Sequence, residues 1–252
     1  MYKSSLVVLI FIGLTSCSTK KDIYYMQDID SQNNAELTYV NSKIQPNDVL
    51  RIDVSALNPE SVIPYNSQSD GQQGGGGGQM MALQGYLVTP DLRINFPILG
   101  KISVADMTTP QLADDLMQRL EEGGHLKNPT VNVRLVNAKF TMIKMGTAST
   151  VVFTEQNITL LQALGLAGGL GDKDIREDVV LIREEEGIRQ VAHIDFTTTD
   201  WMQGPYYYVK PNDVILVNPN NPAVKSAGFI SSPGALIGIF VSVLSLAFIL
   251  TN

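Results

Sequence analysis

The side chains that could carry out catalysis are few and scattered in this sequence. Its two histidines, His125 and His193, lie far apart and have no Glu or Cys at the spacing of metal ligands, which disfavours a zinc site and a nucleophilic triad. The acidic runs at 114–115 and 184–186 are sequence neighbours, so their carboxylates point to different faces and do not converge on one glycosidic bond. The sequence therefore predicts that the protein is not an enzyme and has neither a catalytic residue nor a metal site.

The only cysteine is placed for a different chemistry. It follows a lysine, an apolar run over 6–12 and small residues just before it, which is the three-part pattern of a secretory signal. The stretch from Leu14 to Cys17 resembles a bacterial lipobox, in which the cysteine receives a diacylglycerol. We predict a lipoprotein signal peptide over 1–16 and lipid attachment at Cys17, where two or more acyl chains would give stable anchoring. The alternative is an incidental cysteine in an ordinary signal peptide.

The opposite end of the chain is also directed to a membrane. Residues 226–252 contain no charged side chain, and a helix from 233 to 250 would rise about 27 Å, close to the ~30 Å of a hydrocarbon core. Small residues at spacings of three and four allow close helix packing in lipid. We predict a transmembrane helix that self-associates; a plain anchor and a tail packed on the body are the alternatives. The stripe, which faces either a lumen or a neighbouring helix, consists of Ala235, Gly238, Ser242 and Ser245.

The body between these ends is acidic. The chain has 18 Lys and Arg against 25 Asp and Glu, a formal net charge of −7. Nucleic acid binding needs clustered basic charge, so this class of partner is excluded. With one cysteine there is no intramolecular disulfide, and the fold must depend on its hydrophobic core.

Two turns of the body share one sequence. Pro-Asn-Asp-Val occurs at 46–49 and again at 211–214, each time before alternating apolar residues that predict a strand. Proline pre-sets the backbone of such a turn, and the aspartate side chain accepts nearby backbone N–H groups. We predict a duplicated structural device whose key residues are Pro46, Asp48, Pro211 and Asp213.

The remaining patterns predict two small units of mixed helix and strand. Residues 17–43 lack a sustained period and read as a tether, and the five consecutive glycines within 66–84 predict a flexible loop. In the first unit, strands surround a helix with Thr109 as N-cap and Pro110 at its first position. In the second, strands at 139–146 and 150–155 precede a helix that ends in glycines. Because these glycines follow a helix, no dinucleotide or other cofactor site is predicted.

Several stretches, taken in order, resemble a known family. They are IQPNDVLRIDVSALNPE, GYLVTPDLRINFPILGKI, LKNPTVNVRLVN, ITLLQALGLAGGLGD and YYYVKPNDVILVNP. They are similar to the bacterial outer-membrane polysaccharide export lipoproteins of the Wza-like group. The resemblance implies an α+β fold with a polysaccharide export domain at 44–138, a β-grasp domain of the soluble-ligand-binding (SLBB) type at 139–220, and a carboxy-terminal transmembrane helix.

The same resemblance implies a function. Subunits would form a ring with a periplasmic body, and their terminal helices would make a channel through the outer membrane for a capsular or exopolysaccharide. The implied partners are further copies of the chain, the polysaccharide, and an inner-membrane chain-length copolymerase with its tyrosine kinase. Residues 145–150 lack the proline and second glycine of the family's turn, and only one β-grasp domain follows. The alternative is a lipid-anchored glycan-binding or scaffold protein that forms no pore.

Overall fold

The computed structural model of this chain describes residues 23–32, 39, 41–66, 85–185 and 187–226, with positions 234, 237, 238, 240–242, 245 and 249. The predicted signal peptide and Cys17 lie outside the described residues, as do Ala235 and positions 67–84 of the predicted Gly-rich loop. The two predicted domains fall almost wholly within the described part of the chain.

The first domain is built on a three-stranded antiparallel sheet. Its central strand β1 (Val49–Ser55) alternates buried and less buried residues, as the apolar spacing predicts. The other elements, in chain order, are β2 (Tyr86–Leu87), the hairpin of β3 (Arg93–Phe96) and β4 (Gly100–Ser103), the helix α1 (Thr109–Glu122), and β5 (Thr130–Leu135). The order across the sheet is β2-β1-β5, so β1 is paired on both sides.

Helix α1 begins one residue earlier than predicted. Its N-cap is Thr108, whose hydroxyl accepts from the Gln111 N–H while the Gln111 side chain accepts from the Thr108 N–H at 2.9 Å. The assignment of Thr109 as cap and of Pro110 as first residue is therefore wrong, and Pro110 occupies the second position. The capping box decides the boundary because only one of the two threonines has a glutamine three residues later.

The second domain contains a five-stranded mixed sheet and, in its described part, one α-helix and a short 3-10 helix at Asp200–Gln203. Its elements are β6 (Lys139–Lys144), β7 (Thr147–Val152), β8 (Ile158–Thr159), α2 (Leu160–Leu166), β9 (Asp174–Glu185), β10 (Ile188–Ile194), β11 (Tyr208–Val209) and β12 (Val214–Pro219). The order across the sheet is β10-β9-β12-β6-β7, and β8 and β11 form a separate pair. Its neighbouring strands are antiparallel except β6 and β12, the first and last strands of the domain, which run parallel.

Each domain has a hydrophobic core of its own. The first core centres on Leu50, Phe96 and Leu116, and the second on Phe140, Phe196 and Trp201. Leu135, at the end of β5, packs against the edge of both. The fold is thus a mixed one, with sheets and few helices in its described part, in agreement with the predicted α+β class.

The carboxy-terminal segment is described only in part. Helix α3 (Asn221–Ser226) follows β12, and the described positions beyond it are helical and exposed. Within the part of the chain that the structure describes, no helix combines the length and the apolar character needed to cross a membrane. The transmembrane helix over 226–252 therefore stays a prediction without support from the described fold.

Candidate functional site

The two Pro-Asn-Asp turns have the same hydrogen bonds. Asp48 Oδ2 accepts from the Gln45 N–H at 2.8 Å, and Asp213 Oδ2 accepts from the Lys210 N–H at 2.8 Å. The asparagine between proline and aspartate has a φ of 69° in both turns, a left-handed conformation that asparagine tolerates better than most residues. Both aspartates are buried, while Pro46 is exposed and Pro211 half-buried.

Both turns are attached to the segment that joins the domains. Asn137, in this segment, accepts from the Val49 N–H at 2.8 Å and donates to the Asn47 carbonyl at 2.9 Å. On the other side, the Asn212 N–H donates to the Lys139 carbonyl at 2.7 Å. The structure therefore brings the two separate turn motifs to the two sides of one junction, which fixes how the first domain meets the second.

A buried arginine distinguishes the second turn from the first. Arg183 donates from Nε to Asp213 Oδ1 at 2.9 Å and from Nη2 to Asp213 Oδ2 at 2.7 Å, and it also reaches the Tyr208 carbonyl at 2.8 Å. Burial raises the pKa of Asp213, and these bonds from Arg183 oppose the rise. Sequence reasoning missed Arg183, although its alternation with Val179 and Leu181 places it on the buried face of β9.

No cation among the described residues pairs with Asp48, and burial raises its pKa to about 6. A raised native pKa means that the native state holds the proton more tightly than the unfolded chain does. The free energy of unfolding should therefore fall by about 3 kcal/mol as the pH rises from about 4 to about 6, and stay low above that. Asp48→Asn keeps an oxygen acceptor for Gln45 but cannot ionise.

We expect Asp48→Asn to remove this pH dependence and to raise stability at neutral pH. The measurement is urea unfolding followed by circular dichroism at several pH values, since α1 in the first domain is the longest described helix. An unchanged slope between about pH 4 and pH 6 in the variant would show that Asp48 is not the titrating group.

The predicted tether contains a segment that docks on the second domain. The N–H groups of Met26 and Gln27 donate to the carbonyls of Phe196 and Thr197 at 2.9 and 2.8 Å. The Tyr25 ring packs edge-on against Phe196, with ring centroids 6.3 Å apart. We call residues 23–32 the docking segment. The run Tyr24-Tyr25-Met26 was the available sequence signal, because a solvated tether has little use for three large apolar side chains.

The docking segment and Asn220, the residue before α3, contact the same loop. The Leu170 N–H donates to the Tyr25 hydroxyl at 3.3 Å. Two residues further on, the Asp172 carbonyl accepts from the Asn220 side chain at 2.7 Å, and the Lys173 carbonyl accepts from the Asn220 N–H at 2.8 Å. The chain therefore enters from its amino-terminal side and leaves toward its carboxy-terminal segment beside one loop of the second domain.

A cleft of about 370 Å³ opens at the domain junction. This volume lies in the range of small-molecule sites, roughly 300–1,000 Å³. Its lining is rich in hydroxyl, amide and charged groups, with a guanidinium from the first domain, and it includes Thr109, Asn132, Arg134, Thr154, Glu155 and Gln156. Such groups can donate to and accept from the hydroxyls of a sugar.

The other candidate residues lie apart from this cleft. Gly238, Ser242 and Ser245 are exposed, and the Ser242 hydroxyl donates to the Gly238 carbonyl at 2.8 Å. His193 contacts Asp178 near the surface, and His125 is exposed beyond α1. Among the described residues, no three His, Cys, Asp or Glu side chains lie together as metal ligands.

Comparison with known families identifies the first domain. Residues 38–136 match the family model described as polysaccharide biosynthesis/export protein. The chain carries a polysaccharide export domain. The sequence resemblance to export proteins of the Wza-like group is thereby confirmed.

The match fits the fold closely. It ends at residue 136, one residue past β5, so the polysaccharide export domain coincides with the first hydrophobic core. The match over the first domain suggests involvement in polysaccharide export, and with it interaction with polysaccharide and a location in the cell envelope. The second domain and the docking segment lie outside the matched residues.

Proposed function

We propose that this export protein is the outer-membrane component of a capsular or exopolysaccharide export machine. Copies of the chain form a ring whose helices line a channel, and the protein moves polymer without chemical change. The body lies in the periplasm, anchored by a lipid on Cys17. An inner-membrane chain-length copolymerase, with its tyrosine kinase, delivers the polymer to the polysaccharide export domain.

The observation that carries this proposal is that the docking segment and Asn220 both contact the loop at 170–173. From Cys17 to Tyr25 the chain extends at most about 28 Å. A lipid on Cys17 would therefore hold the second domain close to the bilayer, and the carboxy-terminal segment leaves the same domain beside Asn220. Both membrane-directed ends thus support an orientation with the second domain at the outer membrane and the polysaccharide export domain away from it.

The strand order supports a β-grasp assignment for the second domain. A hairpin, a helix, a second hairpin and a final strand that pairs in parallel with the first produce the order β10-β9-β12-β6-β7. We assign residues 139–220 to a β-grasp domain of the SLBB type on this basis.

The carboxy-terminal segment supplies side chains suited to a membrane channel. Ile237, Phe240 and Ile249 are large, apolar and exposed. The Ser242 hydroxyl is already bonded to the Gly238 carbonyl of its own helix. A serine satisfied in this way can lie between helices without an unpaired donor, and Gly238 allows a neighbouring helix to approach.

The junction cleft is the proposed place of polymer contact within the body. Arg134 offers a cation for an acidic sugar, and Asn132 and Thr154 offer neutral partners for hydroxyl groups. This contact would also serve the alternative function of a glycan-binding protein that forms no pore, so the cleft alone does not favour a channel.

Native mass spectrometry of the detergent-extracted protein tests the proposal. We expect a large closed oligomer for the full chain and its loss when the chain is stopped after Lys225. Gly238→Leu should weaken the oligomer at least about tenfold, whereas Val241→Leu, outside the small-residue stripe, should not. A monomer for the full chain would contradict the channel and favour the glycan-binding protein.

A further inference from the structure

The two outer strands of the five-stranded sheet both present an open edge. β7 and β10 are the end strands of the order β10-β9-β12-β6-β7, and in the part of the chain that the structure describes no further strand pairs with either. We propose that β7 of one copy pairs with β10 of a second copy, so that neighbouring subunits share a continuous sheet. The proposal rests on the proposed function, because it names the surface by which the subunits of that ring meet.

Strand β7 lacks the usual protection of a sheet edge. Residues 147–150 are exposed, Val152 is 61% exposed, and the strand contains neither a charged residue nor a proline. Its register with β6 is continuous from Lys144 and Thr147 to Lys139 and Val152, without a bulge. Exposed edges normally carry a charge, a proline or a bulge that prevents pairing. An unprotected edge of this length therefore indicates a partner strand.

The open backbone groups of the two strands have the same spacing. The two-residue turn at Met145 and Gly146 makes Lys144 and Thr147 a hydrogen-bonded pair, and the bond from the Phe153 N–H to the Ala138 carbonyl continues this alternation. The N–H and C=O groups that point outward from β7 thus belong to Ala148, Thr150 and Val152. By the same argument from the Glu185 and Ile188 pair, those of β10 belong to Arg189, Val191 and His193.

The strand directions also agree. β6 and β12 run parallel, and β7 runs antiparallel to β6. β9 is antiparallel to β12, and β10 is antiparallel to β9, so β10 runs in the direction of β6. β7 and β10 are therefore antiparallel to one another. A neighbour related by rotation about an axis along the strands would set its β10 antiparallel to β7. Because this contact joins two different surfaces, it repeats from copy to copy and closes into a ring when the rotation allows.

Arg189 and His193 of β10 both have acidic partners within their own hairpin. Arg189 Nη2 lies 2.6 Å from Glu184 Oε1, and His193 Nδ1 lies 2.5 Å from Asp178 Oδ1. Since β7 carries no charge, pairing would bury no unpaired ion. Val191 is 54% exposed and would share a face with Thr150 and Val152. The partner is a second copy because each chain supplies both edges, with matching direction and spacing.

Cysteine cross-linking tests this interface in the full-length, detergent-extracted protein. Within one chain, Thr150 and Val191 are four strand spacings apart, about 19 Å, beyond the reach of a disulfide. We expect the double variant Thr150→Cys with Val191→Cys to give, on oxidation, a ladder of covalent multimers, and each single variant to give none. The control pair, Thr150→Cys with Gln190→Cys, should cross-link at least about tenfold less, because side chains alternate between the two faces.

The outcomes separate this inference from the proposed function. An oligomer by native mass spectrometry without the 150–191 disulfide, or with equal cross-linking in the Gln190 control, would overturn the strand pairing and leave the ring intact. A monomer would overturn both. As a second variant, Thr150→Pro removes an outward N–H while sparing the bonds to β6, and should raise the dissociation concentration of the oligomer at least about tenfold; Thr150→Val should not.

Discussion

Replacing Asp213 with asparagine is expected to lower the free energy of unfolding of the second domain by about 3–5 kcal/mol. The change leaves the guanidinium of Arg183, whose side chain is 4% exposed, without its negative partner. Trp201 is the only tryptophan of the chain and lies in the second core, so urea unfolding followed by its fluorescence reports this domain.

Asp48→Asn is the matched control for this prediction. It makes the same substitution in the matching turn of the first domain, where no buried arginine among the described residues bonds to the aspartate. We expect the Trp201 transition to be unchanged in this variant. If both variants shifted the transition equally, or if Asp213→Asn left it in place, the pair with Arg183 would not be what stabilises the second turn.

Phe196→Ala is expected to destabilise the second domain by about 3–5 kcal/mol and to free the docking segment. Phe196 is fully buried, packs 5.0 Å from Trp201 between ring centroids, and touches the Tyr25 ring. The substitution keeps the backbone carbonyls of residues 196 and 197 that accept from the docking segment. It removes the ring on which Tyr25 packs and leaves a cavity beneath the segment. Limited proteolysis near residue 26, together with Trp201 fluorescence, measures both effects.

Leu116→Ala provides the comparison for Phe196→Ala in the first core. Leu116 is fully buried on the inner face of α1. Its loss should lower the stability of the polysaccharide export domain and leave the Trp201 transition and the proteolysis near residue 26 unchanged. A joint shift of both domains in either variant would show that the two cores unfold as one unit.

The sequence predicted the elements that have a clear period. Alternation in β1 and the apolar stripe of α1 are visible because one face is buried and the other exposed. The apolar alternation at Val179 and Leu181 indicates only the middle of strand β9, which extends over Asp174–Glu185. Its outer residues include buried Asp174 and Arg176, which interrupt the apolar pattern. Inside the fold, Asp174 Oδ2 accepts from the Gly171 N–H, and Arg176 Nη2 donates to the Leu170 carbonyl.

Strand β7 was predicted three residues too late for the opposite reason. The sequence placed a strand at 150–155, whereas the structure has Thr147–Val152. A strand with two exposed faces has no apolar alternation, and Met145 at a φ of 49° is an unusual residue for the first position of its turn. The site was harder still: the matched turns were visible as a repeated motif, but their meeting at the domain junction depends on Asn137, which no local pattern singles out.

The parallel pairing of β6 with β12 places the entry and the exit of the chain at opposite ends of the second domain. Because the first and last strands run in the same direction, the chain enters at the end of the sheet beside the junction and leaves at the opposite end, near Lys144 and Asp174. Six residues of β6 measure about 20 Å along this path. In the proposed ring, inserting or removing one such domain would lengthen or shorten the body by a fixed step, with no change in how the flanking segments connect.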